Sequence, residues 1–255
     1  MGWVKKLAIG SGVVLVVGLA AAAITIAAVS EKRPEGETGP AADELAQRRE
    51  TAVNLEAWEQ TGAVEWNFAG RRTHLWDRKR SFARFVQEDL TVWIDLTTRR
   101  GLAERSGEKL SGKDLDKALE NAWSAWVNDS FWLNPIAKLR DEGVARSRIT
   151  LDGDQEGLLV SYASGGVTPG DAYLWIVDAD GMPKAWKMWT SVIPVGGARA
   201  SWEGWKTLST GAKVSTMHEM KAFNLELTDI KAASSLGELY PVDPFGRLIA
   251  VLSGS

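Results

Sequence analysis

A two-residue alternation of apolar and polar side chains recurs along most of this chain. In VEWNFAG, Val64, Trp66 and Phe68 alternate with polar residues, and TVWIDLT repeats the pattern at 91–97. THLWDR and SFARFVQ lie between these two segments, and each is short and bounded by charge or a turn. Such segments are typical of antiparallel strands. The sequence therefore predicts a four-stranded meander between residues 63 and 97.

Two stretches instead have helical spacing. From Ala42 to Gln60 the apolar residues recur at steps of three, four and seven, which predicts an amphipathic helix. A polar connection, RRGLAERSGEKLSG, follows the meander, and Ser111 is a candidate N-cap for a second helix. That helix is expected to end at Pro135. Its predicted apolar stripe contains Leu115, Leu119, Ala122, Trp123, Trp126, Val127 and Phe131.

The strand pattern resumes after the second helix. RITL and GLLVSYA flank DGDQEG as one predicted hairpin, and AYLWIVDA and PKAWKMWT flank DGM as another. ARASWEGW, KVSTMHEM and FNLELTDI follow, and the tail YPVDPFGRLIAVLSGS is expected to be irregular or to end in a short strand. The total of about 10–11 strands and two helices predicts an α+β fold. The expected architecture is a strongly curved antiparallel sheet, or an open β-barrel, covered by two helices.

The N-terminus contains an uncharged run from Leu7 to Ser30, preceded by Lys5 and Lys6. As a helix this run would be about 36 Å long, enough to cross a hydrocarbon core of about 30 Å. We therefore expect a transmembrane helix within residues 1–30, with the N-terminus in the cytoplasm and the remainder exported. Cleavage after Ser30, which would release the protein into the periplasm, is the alternative. Residues 31–41 then form a linker, and residues 42–255 the exported domain.

Charge and cysteine content narrow the possible partners. All 33 acidic residues follow Ser30, whereas Lys5 and Lys6 are the only basic residues before it, so the exported part carries a net charge of about −5. Nucleic-acid binding requires a basic surface and is not expected. The chain has no cysteine, so it forms no disulfide and carries no lipid on an N-terminal cysteine.

No catalytic or cofactor motif is evident. His74 and His218 are the only histidines and are not spaced as metal ligands. DGDQEG resembles the start of a calcium loop, but Ala163 occupies the position where that loop needs a glutamate. The sequence therefore predicts a protein that is not an enzyme and has no cofactor; an enzyme would need a polar cluster inside the hollow of the sheet.

Tryptophan is strongly enriched, with 13 Trp against 3 Tyr and 6 Phe, and NAWSAWVNDSFWLNP at 121–135 is the densest stretch. Each ring removes about 150–250 Å² from water when it is buried, so these rings serve either a core or an apolar cavity. Both interpretations stay open at this stage. The candidate cavity residues are Trp66, Phe68, Trp93, Trp123, Trp126, Trp132, Trp175 and Trp189.

The order of elements, together with several local stretches, resembles a known superfamily. The stretches are WNFAG with THLWDR, NDSFWLNPIAKLRDEGV, GVTPGDAYLWIVD and GMPKAWKMW. Over residues 42–235 the chain resembles the periplasmic lipoprotein carriers and outer-membrane lipoprotein-sorting proteins, including uncharacterised bacterial envelope members. The resemblance implies an unclosed barrel whose hollow binds lipid or lipoprotein acyl chains. The alternative function is a structural or protein-interaction domain of the envelope, with its core filled by its own side chains.

Overall fold

The computed structural model describes residues 29–164 and 168–254. Apart from Val29 and Ser30, the predicted membrane segment Leu7–Ser30 lies outside these residues. Within the described ranges, no helix combines the length and the apolar character needed to cross a membrane.

The first sheet has eight strands in the order β14-β15-β1-β2-β3-β4-β5-β6, and each neighbouring pair is antiparallel. The predicted meander forms its centre. The strands are β1 (Ala63–Phe68), β2 (Arg72–Asp77), β3 (Phe82–Gln87), β4 (Leu90–Asp95), β5 (Gly101–Arg105), β6 (Glu108–Lys109), β14 (Met217–Glu219) and β15 (Asn224–Ala233).

The second sheet has five antiparallel strands in the order β11-β10-β9-β8-β7. They are β7 (Val144–Thr150), β8 (Glu156–Tyr162), β9 (Ala172–Val177), β10 (Pro183–Trp189) and β11 (Ala198–Ser201), and β12 (Lys206–Thr207) pairs separately with β13 (Lys213–Val214). Two isolated bridges, Ala200 with Met220 and Glu203 with Met217, connect the β11 end of this sheet to the β14 end of the first. Among the described residues the combined sheet is unclosed, which confirms the predicted open antiparallel α+β fold in its main features.

Five helices accompany the sheets in the described ranges: α1 (Pro40–Ala52), α2 (Leu55–Gln60), α3 (Gly112–Leu133), α4 (Leu236–Leu239) and α5 (Gly246–Ser253). Helix α3 packs on β3, β4 and β5, and α1 packs on β7 and β8. Helices α4 and α5 pack on the opposite, outer face of the first sheet, where Phe245 and Leu248 meet Leu75. As predicted, α3 ends before Pro135, which starts a short 3₁₀ turn (Pro135–Lys138).

The first helical stretch is broken, contrary to the single helix expected over Ala42–Gln60. Asn54 has a left-handed conformation (φ 55°, ψ 62°), and its side chain accepts a hydrogen bond from the Ala57 amide of the next helix. Asparagine tolerates this conformation better than most residues, so it both ends α1 and caps α2. The break places Trp58 against the inner face of the first sheet.

Two further expectations were wrong. The polar stretch after Thr98 forms β5 and β6, because Leu102 is buried on the outer face of the sheet and Ala103 on the inner face. The tail, expected to be irregular or a short strand, forms helix α5, because packing of Phe245 and Leu248 on the outer face stabilises a helix there. The described strands number 15, more than the 10–11 expected, since several are only two or three residues long.

The predicted linker lies against the second sheet. The Glu37 amide donates to the Arg148 carbonyl (3.0 Å), and the Arg148 amide donates to the Glu37 carbonyl (2.8 Å). Nearer its start, the Glu31 carboxylate pairs with Lys187 (2.7 Å), and the Trp189 indole donates to the Glu31 carbonyl (2.8 Å). Residues 31–37 therefore run along the domain. The domain boundary at residue 42 stays a prediction.

The inner face carries one continuous core. Trp132 packs against both the cluster on the second sheet and the cluster around β1, and Trp126 packs against the β1 cluster and the one beneath α3. The strand in AYLWIVDA is covered on both faces. Tyr173 and Trp175 point into the inner core, whereas Leu174 joins a smaller outer cluster with Ile149 and Leu159.

Candidate functional site

A cavity of about 490 Å³ lies on the inner face, between the C-terminal half of α3 and residues from both sheets. Ten apolar or aromatic residues line it: Trp76, Leu96, Trp123, Trp126, Val127, Phe131, Trp132, Val144, Tyr162 and Tyr173. The remaining lining is polar: Ser81, Thr97, Asn128, Ser130, Lys138, Asp141, Glu142, Ser164, Thr168 and Asp171. Half of the lining residues are thus apolar or aromatic, and the charged groups lie on the turn before β7 and just before β9.

Helix α3 contributes more of this wall than any other element. Trp123, Trp126, Val127 and Ser130 follow the three- and four-residue spacing of one helical face, and all four line the cavity. Ala118 and Ala122, which precede them, are buried against β3, β4 and β5. Because these alanines are small, the helix lies close to the sheet while its bulky rings extend toward the cavity.

On the side of the first sheet, the wall is a chain of aromatic contacts. The rings of Trp126 and Trp76 meet edge to face with centroids 4.9 Å apart, and Trp76 lies 6.4 Å from Trp58. The Arg78 guanidinium covers Trp58 and Trp76 at 4.6 and 5.2 Å from the ring centroids. Arg99 lies 3.5 Å from the ring centroid of Trp123. Cations stacked on ring faces hold these side chains in place.

On the side of the second sheet, Phe131 contacts Tyr162 and Tyr173, with centroids 5.5 and 5.0 Å apart. Burial raises the pKa of both tyrosines, so both hydroxyls stay protonated in the physiological range. The Tyr173 hydroxyl donates to Asp171 (3.3 Å), which also accepts from the Thr168 hydroxyl (2.6 Å). These bonds fix a buried carboxylate beside the aromatic rings on this side of the cavity.

Next to the cavity lies a second aromatic region with tighter packing. We call this group, Trp132, Trp175, Trp186, Trp202 and His218, the packed region. Its ring centroids lie 4.4–6.3 Å apart. Trp186 is fully buried, and Trp175 and Trp202 are nearly so. We call the rings of Trp76, Trp123, Trp126, Phe131, Tyr162 and Tyr173 the cavity region.

A buried ionic contact fixes α3 to the first sheet beneath the cavity. Asp129 has no exposed surface; its carboxylate accepts from Arg72 Nη2 (2.9 Å) and contacts His74 Nε2 (2.7 Å). Burial lowers the pKa of His74, and the Asp129 carboxylate only partly opposes that shift. The imidazole is therefore neutral near pH 7 and donates its Nε2 proton to Asp129. The ring also stacks on Trp66, with centroids 4.7 Å apart.

The structure brings together only some of the candidate residues chosen from the sequence. Trp123, Trp126 and Trp132 line the cavity. Trp66 and Phe68 are buried on the inner face of β1, and Trp175 belongs to the packed region. Trp93 and Trp189 lie on outer faces, against the clusters around Phe245 and Leu174 respectively.

Four lining rings were not among those candidates: Trp76, Phe131, Tyr162 and Tyr173. The alternation could have indicated the outward position of Trp93 and the inward position of Tyr173. Trp93 shares its strand face with Thr91 and Asp95, opposite the buried Val92 and Ile94, and Tyr173 shares its face with Trp175.

Neither histidine lines the cavity. Within the described ranges, no group of three or more His, Asp or Glu residues could hold a metal ion. His218 is buried away from the cavity, with Nδ1 3.0 Å from the Ser201 carbonyl, and burial lowers its pKa to about 4. What the lining can supply is apolar contact area, aromatic faces and a few fixed polar groups.

Comparisons with known proteins add a fold-level likeness. No protein-family model and no curated protein matches the chain. Among solved structures it is similar to a DUF1329 family protein from Desulfovibrio piger, with 11% identity over 78% of this chain and 96% of that one, and a TM-score of 0.38. It is also similar to a putative outer membrane lipoprotein-sorting protein domain from Vibrio parahaemolyticus, with 9% identity over 81% and 99% of the two chains, and a TM-score of 0.34.

At these identities and TM-scores, neither likeness carries an argument about function. A functional proposal therefore rests on the geometry of the cavity.

Proposed function

We propose that this protein binds a lipid or a lipoprotein acyl chain in the cavity beside α3, at the cell envelope. The observation that carries the proposal is the cavity of about 490 Å³, with ten apolar or aromatic residues in its lining. Binding sites for small molecules typically enclose about 300–1,000 Å³, with mainly apolar walls and a few placed polar groups. Burial of an acyl chain would contribute about 0.8 kcal/mol for each methylene group removed from water.

The polar part of the lining suggests how an amphiphile would be oriented. Asp141, Glu142 and Asp171 lie on the second-sheet side together with Lys138, whose ammonium group pairs with Asp141 (3.0 Å). Trp76, Leu96 and Trp123 lie on the first-sheet side, where Ser81 and Thr97 supply the polar groups and no charged side chain lines the cavity. The apolar chain would lie along α3 toward the first sheet, and the polar head group would meet the charged end.

The proposal includes the membrane location predicted from the sequence. An uncleaved segment at Leu7–Ser30 would hold the domain outside the cytoplasmic membrane, where it would act as a fixed acceptor or local chaperone rather than a diffusing carrier. Cleavage after Ser30 would instead give a periplasmic protein. No covalent chemistry and no cofactor belong to the proposal; binding by apolar burial is sufficient.

Binding of an uncharged apolar fluorophore tests the proposal. N-phenyl-1-naphthylamine should bind the full-length protein in mild detergent, and native mass spectrometry should find co-purified lipid. Trp123→Ala and Trp126→Ala should each weaken binding of the fluorophore about tenfold, which corresponds to roughly 1.4 kcal/mol. Trp93→Ala is the matched control, because Trp93 is partly buried on the outer face and does not line the cavity.

The packed region favours a second candidate, a structural or protein-interaction domain whose core is filled by its own side chains. Trp175, Trp186 and Trp202 already fill one half of the inner face by contact with one another. Under this candidate, Trp123→Ala would lower the free energy of unfolding by about 3–5 kcal/mol. The fluorophore would not bind, and no lipid would co-purify; that combination would exclude the lipid-binding proposal.

A further inference from the structure

The point where the chain leaves the described domain is fixed by hydrogen bonds. The Gly196 amide donates to the Ser30 hydroxyl (3.2 Å), and the Glu31 amide donates to the Gly196 carbonyl (2.9 Å). Gly196 and Gly197 approach Glu31 closely: a Cβ atom added at Gly197 would lie 2.8 Å from the Glu31 side chain. The uncharged segment Leu7–Ser30 therefore ends against the connection between β10 and β11.

This connection, Thr190–Gly197, is itself uncharged and apolar. From Trp189 to Ala198 the sequence reads WTSVIPVGGA, without a single ionisable side chain. Val192 is 72% exposed, and Val29, next to the hydrogen-bonded Ser30, is 53% exposed. Single exposed apolar residues are ordinary on protein surfaces. Here Val29 lies at the end of the predicted membrane segment, and Val192 lies in the connection that this end contacts through Gly196.

The same connection contacts the cavity. The Ser191 amide donates to Asp171 Oδ1 (3.2 Å), and Asp171 lines the cavity. Ile193, two residues further on, packs against the inner core that contains Tyr173 and Trp186. The connection thus runs from the charged end of the cavity to the point where the chain leaves the domain.

We propose that Thr190–Gly197 is a bilayer-contact loop, which inserts Val192 into the interface between lipid head groups and acyl chains. The partner is the membrane that holds Leu7–Ser30. Because Ser30 and Glu31 are bonded to Gly196, a membrane helix ending there would bring this loop to the bilayer surface. Trp189 lies at the boundary of the loop, and tryptophan is enriched at membrane interfaces. The charged end of the cavity would then face the head groups.

The inference depends on the predicted anchor and not on an occupied cavity. A loop that contacts lipid while the cavity takes up no fluorophore would support this inference and contradict the proposed function. The reverse result would contradict only the bilayer contact. The two proposals can therefore fail separately.

Fluorescent labelling of the full-length protein in phosphatidylcholine vesicles tests the inference, and the natural absence of cysteine gives a unique labelling site. Val192→Cys would carry a nitrobenzoxadiazole label, and Val242→Cys is the matched control, since Val242 is 83% exposed in the C-terminal segment. Because phosphatidylcholine carries no net charge, a response in these vesicles reports apolar insertion and not attraction to charged lipid. We expect a blue shift of the Val192→Cys label upon reconstitution, and loss of its emission when the lipids carry doxyl groups on their acyl chains.

The Val242→Cys label should keep the emission that it has before reconstitution and resist the doxyl quencher. A Val192→Cys response no larger than that of Val242→Cys would overturn the inference, as would failure of the full-length protein to remain with the vesicles. A third variant, Val192→Cys combined with Pro194→Asp, should lose most of the blue shift, because Pro194 is exposed and a carboxylate near the label opposes insertion.

Discussion

The packed region and the cavity region are both built from large rings on the same face of the sheet, yet they differ in how those rings are covered. In the packed region, Trp175, Trp186 and Trp202 contact one another directly and are almost fully buried. In the cavity region, Trp123 and Trp126 are only partly buried and border a space of about 490 Å³. Aromatic content alone therefore does not distinguish a filled core from the wall of a cavity.

Helix α3 connects the two regions over ten residues. Trp123 and Trp126 belong to the cavity region, whereas Trp132 contacts Trp186 and Trp202. Between them Asp129 binds Arg72 and His74 of the first sheet. Asp129 and Trp132 thus fix the helix, whereas Trp123 and Trp126 border the cavity and can contact a ligand.

The largest effect on stability is expected in the packed region. Trp175→Ala should lower the free energy of unfolding by about 3–5 kcal/mol, because the neighbouring rings cannot collapse completely into the space left behind. Urea unfolding followed by circular dichroism would measure this change. Affinity for N-phenyl-1-naphthylamine should change less than in Trp123→Ala. If Trp175→Ala abolished binding in protein that remained folded, the separation of the two regions would be wrong.

Acid should destabilise the packed region through His218. Burial lowers the pKa of His218 from 6.5 to about 4, so the unfolded chain binds the proton more readily than the folded protein. The stabilisation is fully present above pH 6.5 and is lost as the pH falls toward 4. The loss should amount to roughly 3 kcal/mol, measured by urea unfolding across this pH range.

His218→Asn is the control for the acid effect, since its amide can replace Nδ1 as the donor to Ser201. Its free energy of unfolding should depend less on pH between 6.5 and 4 than that of the natural chain. The lowered pKa of His74 acts in the same direction and should remain in the variant. Equal pH dependence of the two proteins would contradict the assignment to His218.

A smaller effect on stability is expected at Asp129, which lies on α3 between the rings of the two regions. Asp129→Asn should cost roughly 1–3 kcal/mol, because it removes a buried charge that accepts hydrogen bonds from Arg72 and His74. Glu120→Gln is the matched control; it neutralises an exposed carboxylate on the same helix and should change stability by less than about 0.5 kcal/mol. Thermal unfolding of both variants measures the difference. Equal effects would mean that Asp129 does not fix the helix.

The regular alternation predicted the centre of the fold correctly, but it did not say which face is inner. Val92 and Ile94 identify β4 as a strand, and both pack beneath α3. Trp93 between them is buried by Phe245 and its neighbours on the outer face. That outer cover comes from a C-terminal helix which two prolines and a glycine nearby made difficult to recognise. Because this helix was not expected, the sequence made Trp93 a candidate cavity residue.

The cavity was predictable only in part, for a related reason. The helical spacing of Trp123 and Trp126 identified one wall. Tyr162 and Tyr173 complete the opposite wall, but their approach to Phe131 depends on how the second sheet curves toward α3. Curvature arises from contacts between residues far apart in the chain, which a local pattern does not contain.

Residues 36 and 37 lie along the edge strand of the second sheet. Strand β7 is the last strand of its sheet, and its Arg148 backbone bonds to Glu37. Gly36 fits there because it lacks a side chain; an added Cβ would lie 2.5 Å from the Arg148 carbonyl oxygen. Unpaired edge strands recruit strands from other molecules. A chain shortened to begin at Ala42 would expose the edge at Arg148, and we expect it to self-associate more readily than the natural chain.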